Sequence, residues 1–255
     1  MDECPILDRR TVFDRLYPQN HDDDLLSSEE HFHPWWAQPS EKLRKPLLRI
    51  WDRYSGSQPG EDGRMMSRAP TMPLDTYTSR RDSLAKHLDY KAWTPGPYIS
   101  FTSSPTAIED LVLERVRKKR GSQTLTVVDP NRRMKNRLPV LEVTAEMDYY
   151  RIPNPYRKSS KFYINHYVCL WHVTKAEIVG DWEWTSLSKN KNWYHDVILP
   201  AFERFTTTPS ATGNEASLAT EHGTAESTDS GIVDLQNAFG KMSGKFIMLI
   251  CNCKS

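Results

Sequence analysis

Short apolar runs of strand length, separated by turn-forming residues, fill the middle of the chain. Leu47-Leu48-Arg49-Ile50-Trp51-Asp52 reads as a strand with a basic residue on one face. Residues 55–73 contain Gly56, Pro59, Gly60, Gly63, Pro70 and Pro73, so a long loop is expected there. Leu84 and Leu88 share one side of a short helix over 80–90. The turn Trp93-Thr94-Pro95-Gly96-Pro97 leads into a second strand, Tyr98-Ile99-Ser100-Phe101-Thr102. The best-marked helix follows, with Ser104 as N-cap and Pro105 at the first helical position. Ile108, Leu111, Val112 and Val116 make its apolar stripe, and Gly121 supplies a left-handed stop after the basic run from Arg117 to Arg120. Residues 125–128, 139–143, 162–173 and 177–184 are further strand candidates. A solvated basic loop is expected at 132–137 and another loop at 149–161, while 191–205 fits a helix kinked at Pro200.

The two ends follow a different pattern. Residues 1–40 are polar and irregular, with His31-Phe32-His33-Pro34-Trp35-Trp36 expected to pack on the domain as an N-terminal arm. No Cys or third His stands at zinc spacing there, and no metal is expected. From Thr206 to Ser230 the chain is low-complexity, and the whole of 206–255 is expected to form a disordered tail. The domain itself is therefore expected at 41–205. Apolar residues make up 38%, below the usual ~45–50%, which agrees with a core confined to part of the chain.

Charge and cysteine content restrict the function. The 34 basic and 33 acidic residues nearly cancel, leaving no long-range attraction to nucleic acid or an anionic membrane. Four cysteines, Cys4, Cys169, Cys251 and Cys253, form no disulfide framework. The acidic start of the chain lacks a signal-peptide core. The longest apolar run, Phe246 to Cys251, is too short to span a bilayer. An intracellular, cytoplasmic protein is expected.

Three segments carry candidate chemistry. Leu47 to Arg53 resembles the first strand of the ADP-ribosyltransferase fold in cholera toxin and heat-labile enterotoxin catalytic chains, where a strand arginine is followed by an aspartate. Tyr98 to Ser103 resembles that family's Ser-Thr-Ser strand, with Ala107 early in the helix that follows. Cys169 to Gly180 resembles its strand–turn–strand ending in Ile-Gly. The segments occur in family order over about 160 residues, and the chain is also similar to an uncharacterised fungal domain family. The resemblance implies an α+β fold of two small packed, antiparallel-rich sheets with a central cleft. It also implies NAD as ligand or substrate.

Splitting NAD at the ribose–nicotinamide bond passes through an oxocarbenium-like state. Such chemistry calls for a phosphate holder, hydroxyls that order the site and a nearby carboxylate. By resemblance, Arg49 is the phosphate holder, although pairing with Asp52 is an alternative role for it. Ser100 and Thr102, two residues apart on one strand face, are the ordering hydroxyls or else an ordinary strand pair. The catalytic glutamate's position is taken by His166, and no acid lies between Arg151 and Lys175. A neutral imidazole cannot offset a cationic sugar, and a protonated one repels it. Glu177, Asp181 and Glu183 could substitute only along a different path. Three functional readings follow: a degenerate ADP-ribosyltransferase-like domain binding a nucleotide or protein partner, an active NAD-dependent transferase or glycohydrolase, and an unrelated interaction module.

Overall fold

The computed structural model describes residues 7–17, 28–36, 43–89, 91–92, 94–155 and 163–208. The expected tail over 206–255 lies outside these residues beyond Thr208, as do 156–162 of the expected loop.

Two short helices, α1 (Arg9–Leu16) and α2 (Glu29–Phe32), precede the sheet. They are no loose extension. Val12, Leu16 and Trp35 are buried, and the Trp35 indole N–H donates to Glu146 at 2.8 Å. Strand β1 (Leu47–Trp51) leads through a long loop to β2 (Met65–Met66). Helix α3 (Tyr77–Leu88) starts with a capping box between Thr76 and Ser79, and Arg80 inside it is fully buried. Its guanidinium is consumed by Glu30 and by the carbonyls of Leu74, His33 and Leu16, which fastens the N-terminal arm to the domain.

After β3 (Tyr98–Thr102) comes α4 (Pro105–Arg117), capped as expected by the Ser104 hydroxyl, which accepts from the Ala107 N–H. Its buried stripe is Ala107, Ile108, Leu111, Val112 and Arg115; Val116, expected inside, is 61% exposed. Strand β4 (Thr124–Val128) runs into α5 (Pro130–Lys135), then β5 (Val140–Glu142) and α6 (Val143–Tyr149). Residues 132–137 are thus mostly helix rather than a solvated loop, and Arg133 is fully buried. The strand candidate over 162–173 shortens to β6 (His166–Leu170) and β7 (His172–Val173), parted by Trp171 in a left-handed conformation with φ of 61°. A 3-10 turn, β8 (Ile178–Glu183) and α7 (Trp184–Leu187) follow. The last helix begins as a π-helical turn at Tyr194–Ile198 and continues as α8 (Leu199–Thr207). Pro200 falls where the π-helical turn passes into α8, and its missing N–H leaves the helix one bond short there.

The architecture is α+β around a six-stranded antiparallel sheet in the order β5-β6-β3-β1-β4-β8, with a separate ribbon of β2 and β7. The expected pair of small sheets is found in part: one is a six-stranded sheet that nearly parts in its middle, the other the two-stranded ribbon packed on it. Every residue of β1 registers with β4 and every residue of β3 with β6, but β1 and β3 meet at Leu48 and Thr102 alone. On one face, Leu48, Ile50, Leu125 and Val127 pack with α4, and Tyr98, Leu141, Val168 and Leu170 pack with α1, α3 and α6. The boundary between these two cores falls along the β1–β3 seam. On the other face, Leu47, Ile99, Phe101, Val128 and Cys169 pack against Met65 and Val173 of the ribbon.

Candidate functional site

The seam gathers polar side chains that neither core takes in. Arg49 reaches across it. Its Nε and Nη2 donate to the Ser57 carbonyl at 3.2 and 2.9 Å, and Nη1 donates to the Ser100 carbonyl of β3 at 2.9 Å. A side chain thereby links two strands where their backbone ladder has stopped. Asp52 does not pair with Arg49. It turns to the other side, into a buried cluster with Arg115 and Arg120.

His87, near the end of α3, lies 2.8 Å by Nε2 from the Ser100 hydroxyl. Burial and then the nearby His166, Arg49 and Arg68 push its pKa down to about 3, which leaves the ring neutral. These residues surround a small cavity of about 20 Å³, lined by Arg49, Gly56, Ser57, Arg68, His87, Tyr98, Ile99 and Ser100. Among the described residues that line it there is no carboxylate. Guanidinium donors beside a neutral imidazole can hydrogen-bond an anion.

Of the residues singled out from sequence, Arg49 and Ser100 meet at this pocket, while Thr102 and His166 do not line it. The Thr102 hydroxyl accepts from the Ser104 N–H at 3.1 Å and so shapes the turn into α4. His166 stands opposite Thr102, is 4% exposed and has no hydrogen-bond partner on Nε2 among the described residues. Its burial pushes its pKa down to about 4. The three acids that might have replaced a glutamate are committed elsewhere. Glu177 binds Arg133 and the Thr174 hydroxyl, Asp181 accepts from the Thr126 hydroxyl, and Glu183 caps α7 through Thr185 and Ser186. Cys169 faces the ribbon side, and burial pushes its thiol up to about 12, which removes it as a nucleophile.

His87 escaped the sequence reading. Its one signal is its place three residues after Leu84, on the inward side of α3. Position 166 is open to a direct test. His166→Glu places an uncompensated carboxylate in a buried site, which is expected to cost about 2–4 kcal/mol near neutral pH. The cost should shrink as acid protonates the new group, because burial raises a carboxyl pKa. Denaturant melts at pH 7 and pH 4.5 read this directly, and equal losses at both would contradict it.

Residues 42–187 match the model of a family described as a domain of unknown function, DUF7587. Searches of curated proteins and of solved structures give no match. The matched stretch runs from β1 through α7 and includes Arg49, His87 and Ser100. With more than half its length covered, the chain belongs to the DUF7587 family.

Proposed function

We propose that this domain is an ADP-ribosyltransferase-like nucleotide-binding domain that holds a phosphate-bearing ligand and does not turn NAD over. The observation that carries the reading is the meeting of Arg49 and Ser100 in a seam pocket with no carboxylate among the described residues that line it. The residues present fit one half of what NAD would require. Arg49 and Arg68 offer planar forks of donors matched to phosphate oxygens. The Ser100 hydroxyl, held by His87, can order a ribose or a phosphate oxygen. The other half is missing among the described residues, since none of those lining the pocket offsets a cationic sugar. Arg49 is spanned by the Ser57 and Ser100 carbonyls, so a phosphate takes the guanidinium by displacing them. Charge-assisted bonds to an anion are stronger than those to a neutral carbonyl, which favours the exchange.

The test is incubation with NAD while both free nicotinamide and bound nucleotide are followed. Binding without nicotinamide release above background is expected. Arg49→Ala should weaken that binding by about 2–3 kcal/mol, roughly 30- to 150-fold. Release of nicotinamide that disappears with Arg49→Ala would identify an active enzyme and refute the reading.

A further inference from the structure

We propose that the solvent-facing side of α4 is the interface of a weak two-fold dimer, its partner a second copy of this chain packed antiparallel to it. This goes beyond the nucleotide-binding reading and does not depend on it.

An apolar pair sits at the centre of this surface. Glu109, Asp110, Leu113, Val116 and Arg117 follow at helical spacings of three and four, on the side away from the buried Ile108, Leu111, Val112 and Arg115. Leu113 is 55% exposed and Val116 61%, and they stand one turn apart. Val116 belongs to the stripe expected inside the core, yet the structure leaves it in solvent beside Leu113. Single apolar side chains are ordinary on a surface, but an adjacent pair rimmed by charge has the make-up of a contact patch.

Charge selects the occupant. Toward the start of α4, Glu109 and Asp110 form no ion pair among the described residues; Glu109 accepts only the Trp193 indole N–H, at 3.0 Å. Burial and then the Glu109 charge raise the Asp110 pKa, the mark of two acids side by side. At the other end, Arg117, Lys118 and Lys119 share the single Glu114, which lies 2.9 Å from Arg117 and 3.5 Å from Lys118. Three cations against one acid leave two positive charges, equal and opposite to the two acids at 109–110. The helix side is therefore its own complement when reversed. A two-fold axis near its middle packs Leu113 and Val116 against their copies and lays each acidic end beside the partner's basic end. It also sets the positive end of each helix dipole beside the negative end of the other. A partner of uniform charge would satisfy one end and repel the other. The patch is small, so the dimer is weak.

Sedimentation velocity of the full chain over a range of concentrations is the test. A reversible monomer–dimer equilibrium is expected, with a Kd of about 10–100 µM at low salt. Added salt should weaken it, because the ion pairs lie at the rim of the patch. Leu113→Gln combined with Val116→Gln should weaken it by about tenfold, with no change of charge. Asp110→Lys alone and Arg117→Glu alone should each weaken it by roughly fivefold. The two together exchange the ends of the stripe and should restore a Kd within about twofold of the parent. Each variant is first checked for a parent-like melt. A chain that sediments as a monomer throughout overturns the proposal. A dimer indifferent to Leu113 and Val116 lies on another surface and overturns it as well. So does a double charge reversal that associates no better than either single one.

Discussion

Asp52→Asn is expected to destabilise the fold by about 3–5 kcal/mol, because it strips the counter-charge from two buried arginines. Asp52 is 1% exposed. One carboxylate oxygen accepts from Arg120 Nη2 at 2.7 Å and from the Tyr54 N–H at 2.9 Å, and the other accepts from Arg115 Nη1. The asparagine amide would turn an N–H toward guanidinium donors. The cluster ties the end of β1 to the C-terminal end of α4 and sets the turn that begins the loop carrying Ser57. Burial raises the Asp52 pKa, but the bond from Arg120 and the charge of Arg115 outweigh it, and the net shift is downward. A depressed carboxylate stabilises the fold above its unfolded pKa of ~3.9 and loses that contribution as pH falls through the folded value. The parent should therefore lose stability from this group below about pH 4, and Asp52→Asn should lack that acid-dependent part. At roughly 2–4 °C per kcal/mol for a domain of this size, the melting temperature at pH 7 should fall by about 10 °C. A variant that melts within two degrees of the parent would sink the prediction.

Arg133→Met should be the other large loss. Arg133 is fully buried and donates to the carbonyls of Pro139, Leu170 and His172 and to Glu177, each at 2.8 Å. Two of those carbonyls flank Trp171, so this one guanidinium holds both sides of the left-handed break between β6 and β7. Without it, Glu177 becomes a lone buried charge and the carbonyls lose their donor. The cost should exceed about 4 kcal/mol in denaturant melts. Adding Glu177→Leu should recover at least half of the loss, since removing both charges of a buried pair is far less costly than removing one. A double variant no more stable than Arg133→Met alone would show that the ion pair is not the cause.

The two arginines also show what the sequence could reveal. Ser104-Pro105 announced α4 by its cap and its first-turn proline, and the helix formed there. Asp129-Pro130 uses the same grammar: Asp129 accepts from the Asn131 N–H at 2.9 Å and Pro130 opens α5. It reads as a turn because no apolar stripe follows. The inward position is Arg133, and its partner Glu177 lies 44 residues away in sequence. Single-sequence periodicity cannot see a buried charge neutralised at long range. In the N-terminal arm the Trp35 anchor was expected from the aromatic pair, while α1 hides for a similar reason, its polar composition covering the deep anchors Val12 and Leu16. At the site, Arg49 and Ser100 were named by the resemblance; strand alternation puts Arg49 on the face of Leu47 and Ser100 on the face of Tyr98, and they meet because the guanidinium reaches the Ser100 carbonyl across the open seam. His87 was not named, because its role depends on which strand α3 lies against. Thr102 and His166 share a face with Ser100, yet they sit beyond the point where the strands close, at the rung Leu48–Thr102.

That closure has a mechanical side. Past the single backbone rung, the two halves of the sheet are braced across the gap by the Arg49–Ser100 contact. A ligand that draws the guanidinium toward itself removes this strut and must itself become the brace. Any change in that contact bears directly on how the half of the sheet that begins at β3 is held to the half that begins at β1.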